Sequence, residues 1–444
     1  MFKSLVFFLL IFFACLAIKA QNAPFPRKFD FGEGGVRKGY TQILPHTAYT
    51  PERGYGFLGT EHLKSSVRHS TNSLYSDFIT SDTPFYFSVN LPEGDYDVTV
   101  YLGDKEGTSS TLVRAECRRL MVSDVNTDSG KVTSRTFTVH VRQPQIKGTH
   151  DSVRLKTREL SYLHWDNQLT LEFAGRQPKV CGLNIVPAHH PVTVFLAGNS
   201  TVVDQAYEPY AAWGQIIPVF FKARKIVVAN YAESGETLKA FKAENRLKKI
   251  LSLMKPGDFL FIEFAHNDQK PGTNHLDPFT TYKEMLKFYI AEVRKKGGKP
   301  VLVTSMHRRN FDAQGRIINT LGDYPEAVRQ TAREVNAPLI DLNAMSKVLY
   351  EAWGPELSLK AFVHYPANTF PQQSGKLEDN THFNPYGAWQ LAKCVVEEIK
   401  KKVPELTPFL RVDRQPFDPA HPDSPDKWYW PLSLDVAIAR PDGN

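Results

Sequence analysis

The 444-residue chain has little cysteine, no internal repeat and no long block of like charge. Its cysteines are far apart, with neither a Cys-x-x-Cys spacing nor a histidine-rich companion segment: Cys15, Cys117, Cys181 and Cys394. This pattern argues against a disulfide scaffold and against a zinc site, although a single Cys117–Cys181 bridge stays open. Without a basic block, the chain is not expected to bind nucleic acid.

The composition is that of an ordinary globular protein. With 42% hydrophobic and 23% charged residues, the chain is too apolar to be largely disordered and is not a collagen-like fibre. At roughly 150 residues per domain, its length predicts two or three domains, each large enough to bury its own core. A domain boundary is therefore expected within the chain.

Residues 1–20 predict a secretory signal peptide. Lys3 precedes the apolar run LVFFLLIFFACLA, which is too short for a comfortable membrane span, and the small residue Ala20 marks a plausible cleavage point. An uncleaved anchor is the alternative, and Cys15 is a poor match to a lipid-attachment site. No later segment is apolar enough to span a membrane. We therefore expect a secreted or periplasmic protein.

Cleavage would also change the charge of the chain. Removing residues 1–20 takes away two lysines and lowers the formal net charge from +7 to +5. A mildly basic extracellular protein is suited to approaching a polyanion, and acidic polysaccharide is the obvious one outside the cell.

Residues 21–190 contain short alternating or aromatic runs separated by turns, a pattern typical of β-strands. They include KFDFGEGG, SRTFTVHV, NQLTLEF and CGLNIVP. The runs FYFSV and YDVTV alternate on either side of the turn at 92–95, which predicts a β-hairpin. Together these runs predict an all-β sandwich domain.

Between residues 191 and 411, short buried strands alternate with amphipathic helices. The strand candidates are VTVFLA (192–197), KIVVANY (225–231), DFLFIEF (258–264), PVLVTS (300–305) and APLIDL (337–342). Two apolar helix faces recur at helical spacing: Tyr282, Met285, Leu286, Tyr289, Ile290 and Val293 in one, and Ala388, Leu391, Ala392, Val395 and Ile399 in the other. This alternation predicts a three-layer α/β/α domain with a flavodoxin-like parallel sheet and right-handed connections. Residues 412–444 lack a period and predict an irregular C-terminal extension.

An open parallel sheet places its active site at the carboxyl ends of the strands. The first strand ends in Gly-Asn-Ser-Thr, so Ser200 lies on an expected strand-to-helix turn, a geometry that suits a nucleophile. Capping of that helix is the alternative role for this serine.

Polar residues also follow the second and third strands. Gly235 lets the backbone approach a ligand closely, although a plain turn would use glycine equally well. The cluster EFAHNDQK contains Asn267, whose side-chain amide either donates to an oxyanion or forms an Asx turn.

Ahead of the last helix, Asp379 lies three residues before His382. A serine hydroxyl becomes an effective nucleophile when a neutral imidazole accepts its proton, and that imidazole needs an acceptor that fixes its tautomer. Ser200, His382 and Asp379 therefore predict a catalytic triad. Taken alone, Asp379 and His382 could instead cap the helix.

These four blocks together resemble the SGNH (GDSL-like) hydrolases, whose named residues are a Ser, Gly, Asn and His in this order at successive strand ends. FLAGNSTV, EFAHNDQK, VTSMHRRNFD and DNTHFNPYGA look like the rhamnogalacturonan acetylesterase group along residues 192–400. The resemblance implies Ser200 as nucleophile, His382 as base and Asp379 as its orienting acceptor. The oxyanion hole that it implies consists of the Ser200 amide, the Gly235 amide and the Asn267 side chain.

Asn199 departs from that family, which usually carries aspartate in Gly-Asp-Ser. Because this position is not the proton acceptor, we expect the change to tune the nucleophile turn rather than to abolish activity. Asn199 also creates the one Asn-x-Ser/Thr sequon after residue 20, and a glycan there would block Ser200. A catalytic Ser200 therefore favours a bacterial protein over a eukaryotic one.

Arg308 and Arg309 follow the fourth strand, where two guanidiniums can pair with uronic acid carboxylates. Internal salt bridging is the alternative. With His266, which lies beside Asn267, they form the predicted substrate-binding set. These polar neighbours argue against the apolar tunnel that a lipid or acyl-thioester hydrolase would need.

The sequence thus predicts a secreted two-step serine esterase that removes O-acetyl groups from a plant cell wall polysaccharide, with rhamnogalacturonan pectin as the first candidate. The scheme needs no metal and no organic cofactor. Acetylxylan or another carbohydrate or lipid ester is the alternative substrate, and a non-catalytic carbohydrate-binding protein is the alternative function. The first domain resembles the galactose-binding-like domains attached to such esterases, and it either binds sugar or only supports catalysis. The oligomeric state is left open.

Overall fold

The computed structural model describes residues 27–189, 191–412, 415–434 and 440–442, and the chain folds as two compact units. The described part of the first unit comprises residues 27–116, 121–143 and 161–189. The second unit comprises the described residues from 191 onward together with two earlier segments, 117–120 and 144–160. The predicted signal peptide lies outside the described residues.

Twelve strands run through residues 27–187. They are β1 (Arg27–Phe31), β2 (Thr41–Ile43), β3 (Tyr55–Phe57), β4 (Lys64–Val67), β5 (Asp77–Thr80), β6 (Phe85–Asn90), β7 (Gly94–Gly103), β8 (Ser109–Ala115), β9 (Arg119–Thr127), β10 (Val132–Val141), β11 (Gln168–Gln177) and β12 (Lys179–Pro187). One sheet has the order β10-β7-β12-β1-β2, with β5 and then β4 added on β12, and the other has the order β3-β6-β11-β8-β9.

The two sheets share an aromatic core, which confirms the predicted β-sandwich. Phe31 on β1 and Phe87 on β6 belong to different sheets, and their ring centroids are 4.9 Å apart. Phe57 lies 5.6 Å from Phe31, and all three rings are buried. Such tilted ring pairs fill the space between two sheets efficiently and add to the free energy of apolar burial.

The predicted hairpin across residues 92–95 is wrong. Strands β6 and β7 do not pair with each other: β6 pairs with β3 and β11 in one sheet, and β7 pairs with β10 and β12 in the other. The turn therefore carries the chain from one sheet to the other. Both apolar stripes face the same core from opposite sides, so the alternation that suggested a hairpin is equally compatible with this crossing.

The second unit contains seven further strands and seven α-helices among the described residues. The strands are β13 (Val192–Gly198), β14 (Ile226–Asn230), β15 (Phe259–Glu263), β16 (Lys299–Val303), β17 (Leu339–Ile340), β18 (Phe362–Tyr365) and β19 (Leu377–Phe383). The helices are α1 (Trp213–Ile216), α2 (Leu238–Ala243), α3 (Arg246–Leu253), α4 (Lys283–Lys295), α5 (Tyr324–Glu334), α6 (Leu342–Leu357) and α7 (Pro385–Lys402).

The main sheet of this unit is parallel, with the order β14-β13-β15-β16-β17. This is the flavodoxin-like order, in which the second strand is added on one side of the first strand and the later strands on its other side. Helices α4 and α5 contact β16, and α7 contacts β17. The predicted fold class is confirmed, and the first strand, β13, lies between β14 and β15.

A small antiparallel sheet, formed by β18 and β19, was not predicted. It matters because β19 carries the block that contains Asp379 and His382. Helix α7 follows directly and buries the predicted stripe of apolar residues.

Three cysteines lie in the described part of the chain, and each is a buried free thiol: Cys117, Cys181 and Cys394. The Cys117–Cys181 bridge that the sequence left open is therefore not formed in this structure. No helix within the described ranges has both the length and the apolar character needed to cross a bilayer.

Candidate active site

Three side chains from distant parts of the second unit form a hydrogen-bonded row. Ser200 Oγ lies 2.7 Å from His382 Nε2, and His382 Nδ1 lies 2.8 Å from Asp379 Oδ2. Ser200 follows β13, whereas Asp379 and His382 lie on β19. Ser200 and His382 are 182 residues apart in the sequence. The structure thus brings together the three residues predicted to form a triad, in the order hydroxyl, imidazole, carboxylate.

The carboxylate of Asp379 is held ionised. Burial alone would raise the pKa of Asp379, but the hydrogen bond and charge of His382, with the backbone amides of His382 and Thr381, outweigh it and lower the pKa to about 2. Asp379 Oδ1 accepts both of those amides, at 3.0 and 2.8 Å. One oxygen is thereby fixed by the backbone, and the other is left to orient the imidazole.

The turn that carries Ser200 is built differently from the expectation. No helix follows β13 directly, since the next one, α1, begins only at Trp213, so the predicted strand-to-helix turn is wrong. Instead the carbonyl of Asn199 accepts the amides of Val202 and Val203, both at 3.0 Å. A compact turn of backbone hydrogen bonds therefore presents the serine.

A buried glutamate supports this turn. Glu263, the last residue of β15, accepts the Thr201 hydroxyl at 2.9 Å and the Trp213 indole N–H at 2.7 Å. Burial raises the pKa of Glu263 to about 7, although both hydrogen bonds oppose the shift. Thr201 also bonds the side chain of Asn199, so a continuous buried network lies beside Ser200.

Gly235 lies on the loop after β14, with a φ of +81°, a backbone conformation that favours glycine. A Cβ atom there would lie 3.2 Å from Cβ of Asp442 and 3.5 Å from Nζ of Lys156. The loop is held by two cations, since Lys156 and Arg158 both donate to the carbonyl of Ser234, at 2.6 and 2.7 Å.

Asn267 lies on the loop after β15 and is tied to the Gly235 loop. Its Nδ2 donates to the carbonyl of Glu236 at 3.0 Å, and because an amide nitrogen carries two hydrogens, one remains for a ligand. Ala265, two residues earlier, has a φ of +145°, an unfavourable conformation for a residue with a Cβ. Such strain is typical of a functional loop that the surrounding structure holds in place.

The predicted oxyanion donors therefore come from loops at the carboxyl ends of three adjacent strands, β14, β13 and β15. Besides the bond from Asn267, the amide of Glu233 donates to the carbonyl of Gly198 at 3.2 Å, which joins the β14 loop to the end of β13. Preorganised donors of this kind can stabilise a developing oxyanion without reorganising during the reaction.

Among the three predicted substrate-binding residues, His266 lies in the interior of the protein. His266 is only 2% exposed, and neither of its ring nitrogens has a hydrogen-bond partner among the described residues. Burial lowers the pKa of His266 well below its ordinary value, and the nearby charge of Arg308 lowers it further. His266 is therefore a neutral imidazole at neutral pH.

Arg308 and Arg309 donate to uncharged groups of the chain. Arg308 bonds the hydroxyl of Thr320 and the carbonyl of His266, and Arg309 bonds Ser358 Oγ and Asn380 Oδ1. Within the described residues, neither guanidinium forms a salt bridge with a carboxylate, so the internal salt bridging considered as the alternative is not observed. Hydrogen bonds to neutral partners leave their positive charge uncompensated by an ion pair.

Several contributors to this site carried no sequence signal. Lys156 and Arg158 come from the segment 144–160 and reach a loop about eighty residues later, at separations of 78 and 76 residues. Gln205 donates to the carbonyl of Ser200 at 2.8 Å. The ring of Tyr210 packs edge-on to His382 at 5.9 Å. Only the folded chain reveals these contacts, because neither spacing nor residue type points to them.

The chain matches two family models. Residues 27–147 match the model described as beta-agarase/YXIM esterase-like, galactose-binding domain-like, and residues 196–389 match the GDSL-like lipase/acylhydrolase family. The second range contains every residue of the hydrogen-bonded row and of the predicted oxyanion hole.

Three named relatives come from Bacillus subtilis (strain 168). The chain is 45% identical over 214 residues to rhamnogalacturonan acetylesterase RhgT, covering 48% of this chain and 90% of RhgT. It is 36% identical over 227 residues to the probable rhamnogalacturonan acetylesterase YesY, covering 50% of this chain and 98% of YesY. The uncharacterized esterase YxiM is 28% identical over 410 residues, which cover 89% of this chain and 97% of YxiM.

Proposed function

The chain belongs to the GDSL-like lipase/acylhydrolase family, and we propose that this esterase is a secreted serine enzyme that removes O-acetyl groups from pectin, with rhamnogalacturonan as its preferred polymer. Membership confirms the resemblance noted in the sequence, including the galactose-binding-like region at the N-terminal side. The observation that carries the proposal is the Ser200–His382–Asp379 row in a chain that is 45% identical, over 214 residues, to a named rhamnogalacturonan acetylesterase.

The first half of the reaction forms an acetyl-serine. Ser200 Oγ attacks the acetyl carbonyl carbon while His382 Nε2 accepts the hydroxyl proton. The bond between the carbonyl carbon and the sugar oxygen then breaks, and His382 returns the proton to that oxygen. The product is a free sugar hydroxyl, and Asp379 stabilises the transient imidazolium.

The second half releases acetate. Water attacks the acetyl carbon and gives a proton to His382, and the bond to Ser200 Oγ breaks as the serine regains a proton. In both halves the negative charge on the carbonyl oxygen is stabilised by the amides of Ser200 and Gly235 and by the side chain of Asn267. Every proton moves between groups of the chain, the sugar and water.

Two features support an acidic polysaccharide as substrate. After removal of residues 1–20 the chain keeps a formal net charge of +5, which favours approach to a polyanion. Arg308 and Arg309 lie on the loop after β16 with their charge unpaired by any carboxylate in the described structure. Secretion rests on residues 1–20 and belongs to the same proposal.

The test is acetate release by the chain without residues 1–20 from acetylated rhamnogalacturonan, homogalacturonan and xylan, with Ser200→Ala in parallel. We expect release from rhamnogalacturonan that the variant abolishes. Release from xylan alone would replace pectin by xylan as the substrate. Release that Ser200→Ala leaves intact would remove Ser200 as the nucleophile, and no release from any polymer would overturn the polysaccharide esterase.

A further inference from the structure

A pocket of about 430 Å³ lies in the second unit, beside the small sheet that carries Asp379 and His382. One wall is formed by residues 425–432 of the C-terminal extension, and the opposite wall by the β18–β19 region and the residues around Pro209. Its volume falls within the range of small-molecule sites, roughly 300–1,000 Å³. None of the steps described above uses it.

Four aromatic side chains line the pocket. Trp428 and Trp430 lie nearly parallel, with an interplanar angle of 12° and ring centroids 6.2 Å apart. Tyr365 and Tyr386 also line the pocket. Both indoles are partly exposed, so their faces are accessible to a ligand. Flat aromatic faces stack against the C–H face of a pyranose ring, which is apolar although the ring edge carries hydroxyls.

The wall is fixed in place by specific contacts rather than by burial alone. Trp430 Nε1 donates to Glu208 Oε1 at 2.9 Å, and the amide of Ser433 donates to the same oxygen at 3.2 Å. Trp428 packs on Trp389 of α7, with centroids 5.1 Å apart. The irregular extension therefore holds its two tryptophans in a defined orientation, which lowers the entropy cost of binding.

The edge of the pocket is polar and open to solvent. Lys360 and Asp426 form an exposed ion pair at 3.1 Å, with side-chain exposures of 55% and 80%. His364 supplies a further polar group at this edge. Aromatic faces inside and charged or hydrogen-bonding groups at the edge are the combination that a sugar requires and that a purely apolar ligand does not.

The wall of the pocket and the ring of His382 contact the same apolar cluster. Tyr365 in the wall lies 4.9 Å from Phe370, and both pack with Tyr210 in one apolar cluster. Tyr210 in turn contacts His382. Glu208 and Pro209 of the pocket adjoin Tyr210 directly in the chain. The wall of the pocket is therefore packed on the same group of side chains that contacts His382.

We propose that this aromatic pocket binds a pyranose ring of the substrate polysaccharide other than the ring whose acetyl group is removed. The proposal rests on the proposed function for the identity of the polymer, but the pocket itself is defined by its own residues. It also gives the C-terminal extension a role, since that segment supplies both tryptophans.

The experiment measures binding in the absence of turnover. The chain carrying Ser200→Ala is titrated with de-acetylated rhamnogalacturonan oligosaccharides in a calorimeter, with and without a second substitution. Trp430→Ala should weaken binding by about tenfold, as expected for truncation of a central aromatic contact. Trp430→Phe, which keeps a ring but loses the indole N–H, should retain most of the affinity. Phe279→Ala, an exposed aromatic outside the pocket, is the matched control and should bind as the parent does.

A second substitution keeps the test decisive if Trp430→Ala does not fold. Leu432 lines the pocket and is 46% exposed, so Leu432→Asp should fold and repel a uronate-bearing chain. Parent-like affinity in Leu432→Asp and in folded Trp430→Ala would overturn the pocket. Equal losses in Trp430→Phe and Trp430→Ala would overturn ring stacking. Failure of the proposed function is seen separately, as the absence of acetate release by the chain that keeps Ser200.

Discussion

Asn199, next to the proposed nucleophile, shows how a single side chain is used in a buried turn. Its Oδ1 accepts the amide of Thr201 at 3.1 Å and lies 2.9 Å from the Thr201 hydroxyl, and its Nδ2 has no hydrogen-bond partner within the described part of the chain. Because the residue is fully buried, a glycan on this sequon is incompatible with the folded chain. The side-chain amide of Asn199 keeps the oxygen acceptor that an aspartate would supply to the turn. That the change to asparagine only tunes the turn stays a prediction.

Asn267→Ala tests the oxyanion hole. Removing one donor typically lowers kcat by about a hundredfold or more, and we expect a loss of that order with p-nitrophenyl acetate. The melting temperature should change little, because the lost bond joins two loops. Asn274→Ala, an exposed asparagine on the same loop, is the control. Wild-type turnover in Asn267→Ala would place the donor elsewhere.

Arg308→Ala tests recognition of uronate carboxylates. Its guanidinium is bonded to neutral groups, so its charge remains available to an anion. We expect kcat/KM on acidic polymer to fall on the order of tenfold or more, corresponding to one charge-assisted contact, and to fall less on a neutral aryl acetate. Arg316→Ala removes an exposed arginine from the same loop as a control. Equal losses on both substrates would contradict pairing with the polymer.

Glu263 gives the folded state a pH dependence. Burial raises the pKa of Glu263 from 4.5 to about 7, so the folded chain holds this proton more tightly than the unfolded chain. Its contribution to stability is therefore full below pH 4.5 and is lost as the pH rises through 7. In Glu263→Gln the side chain accepts from Trp213, donates to Thr201 and does not titrate.

The measurement is the free energy of unfolding of both proteins across that pH range. Wild type should lose about 3 kcal/mol relative to Glu263→Gln as the pH rises from below 4.5 to above 7. Glu284→Gln, on an exposed position of α4, should show no such relative change. Parallel curves for wild type and Glu263→Gln would mean that Glu263 has the same pKa in the folded and the unfolded chain.

At the scale of elements, strands β6 and β7 show what the alternation of apolar and polar residues predicts and what it does not. A two-residue period fixes which side chains share a face of a strand, and the buried stripes of both strands obey it. It does not choose the neighbouring strand. The pairing depends on strands about eighty residues later in the sequence: β6 pairs with β11 in one sheet, and β7 pairs with β12 in the other.

The loop after β14 is positioned by a distant segment, and Lys156→Met tests that role. Lys156 donates to the carbonyl of Ser234 and pairs with Glu236 at 2.5 Å, so its loss should displace the Gly235 amide. We expect kcat to fall on the order of tenfold on aryl acetate and on polymer alike, with KM little changed. Lys147→Met, on an exposed position of the same segment, is the control. A loss confined to KM on polymer would instead indicate substrate contact.

At the scale of the whole molecule, the second unit is assembled from three stretches of sequence. Two residues of the early segments form buried ion pairs with the rest of the unit. Arg119 pairs with Asp204, and Glu159 pairs with Arg246. Breaking a buried pair by removing one partner costs roughly 3–5 kcal/mol, because an uncompensated charge remains. These segments are therefore part of the catalytic unit's core.

A chain restricted to residues 191–444 tests this assembly. It retains the parallel sheet but lacks Arg119 and Glu159, and we expect it to melt about 10 °C or more below the full chain, or to aggregate. Scanning calorimetry of both proteins gives the comparison. A fragment with the melting temperature of the full chain would show that the early segments add no stability.

Much of this protein is determined by local sequence. The alternation of buried runs with helical stripes is enough to give the parallel sheet, because strands buried on both faces and helices buried on one have different periods. The same blocks placed Ser200, Gly235 and Asn267 just after strands of the parallel sheet, on the loops that commonly carry functional residues.

Tertiary structure decided the rest, since the contacts concerned join residues that no local period relates. The partners of β6 and β7, the clamp of Lys156 on the Gly235 loop and the internal bonding of Arg308 all depend on which segments meet in space. The aromatic pocket likewise exists only because an aperiodic extension packs against α7 and the small sheet. Such pairings are selected by the packing of the whole chain, whereas the sequence by itself specifies only the faces available to be packed.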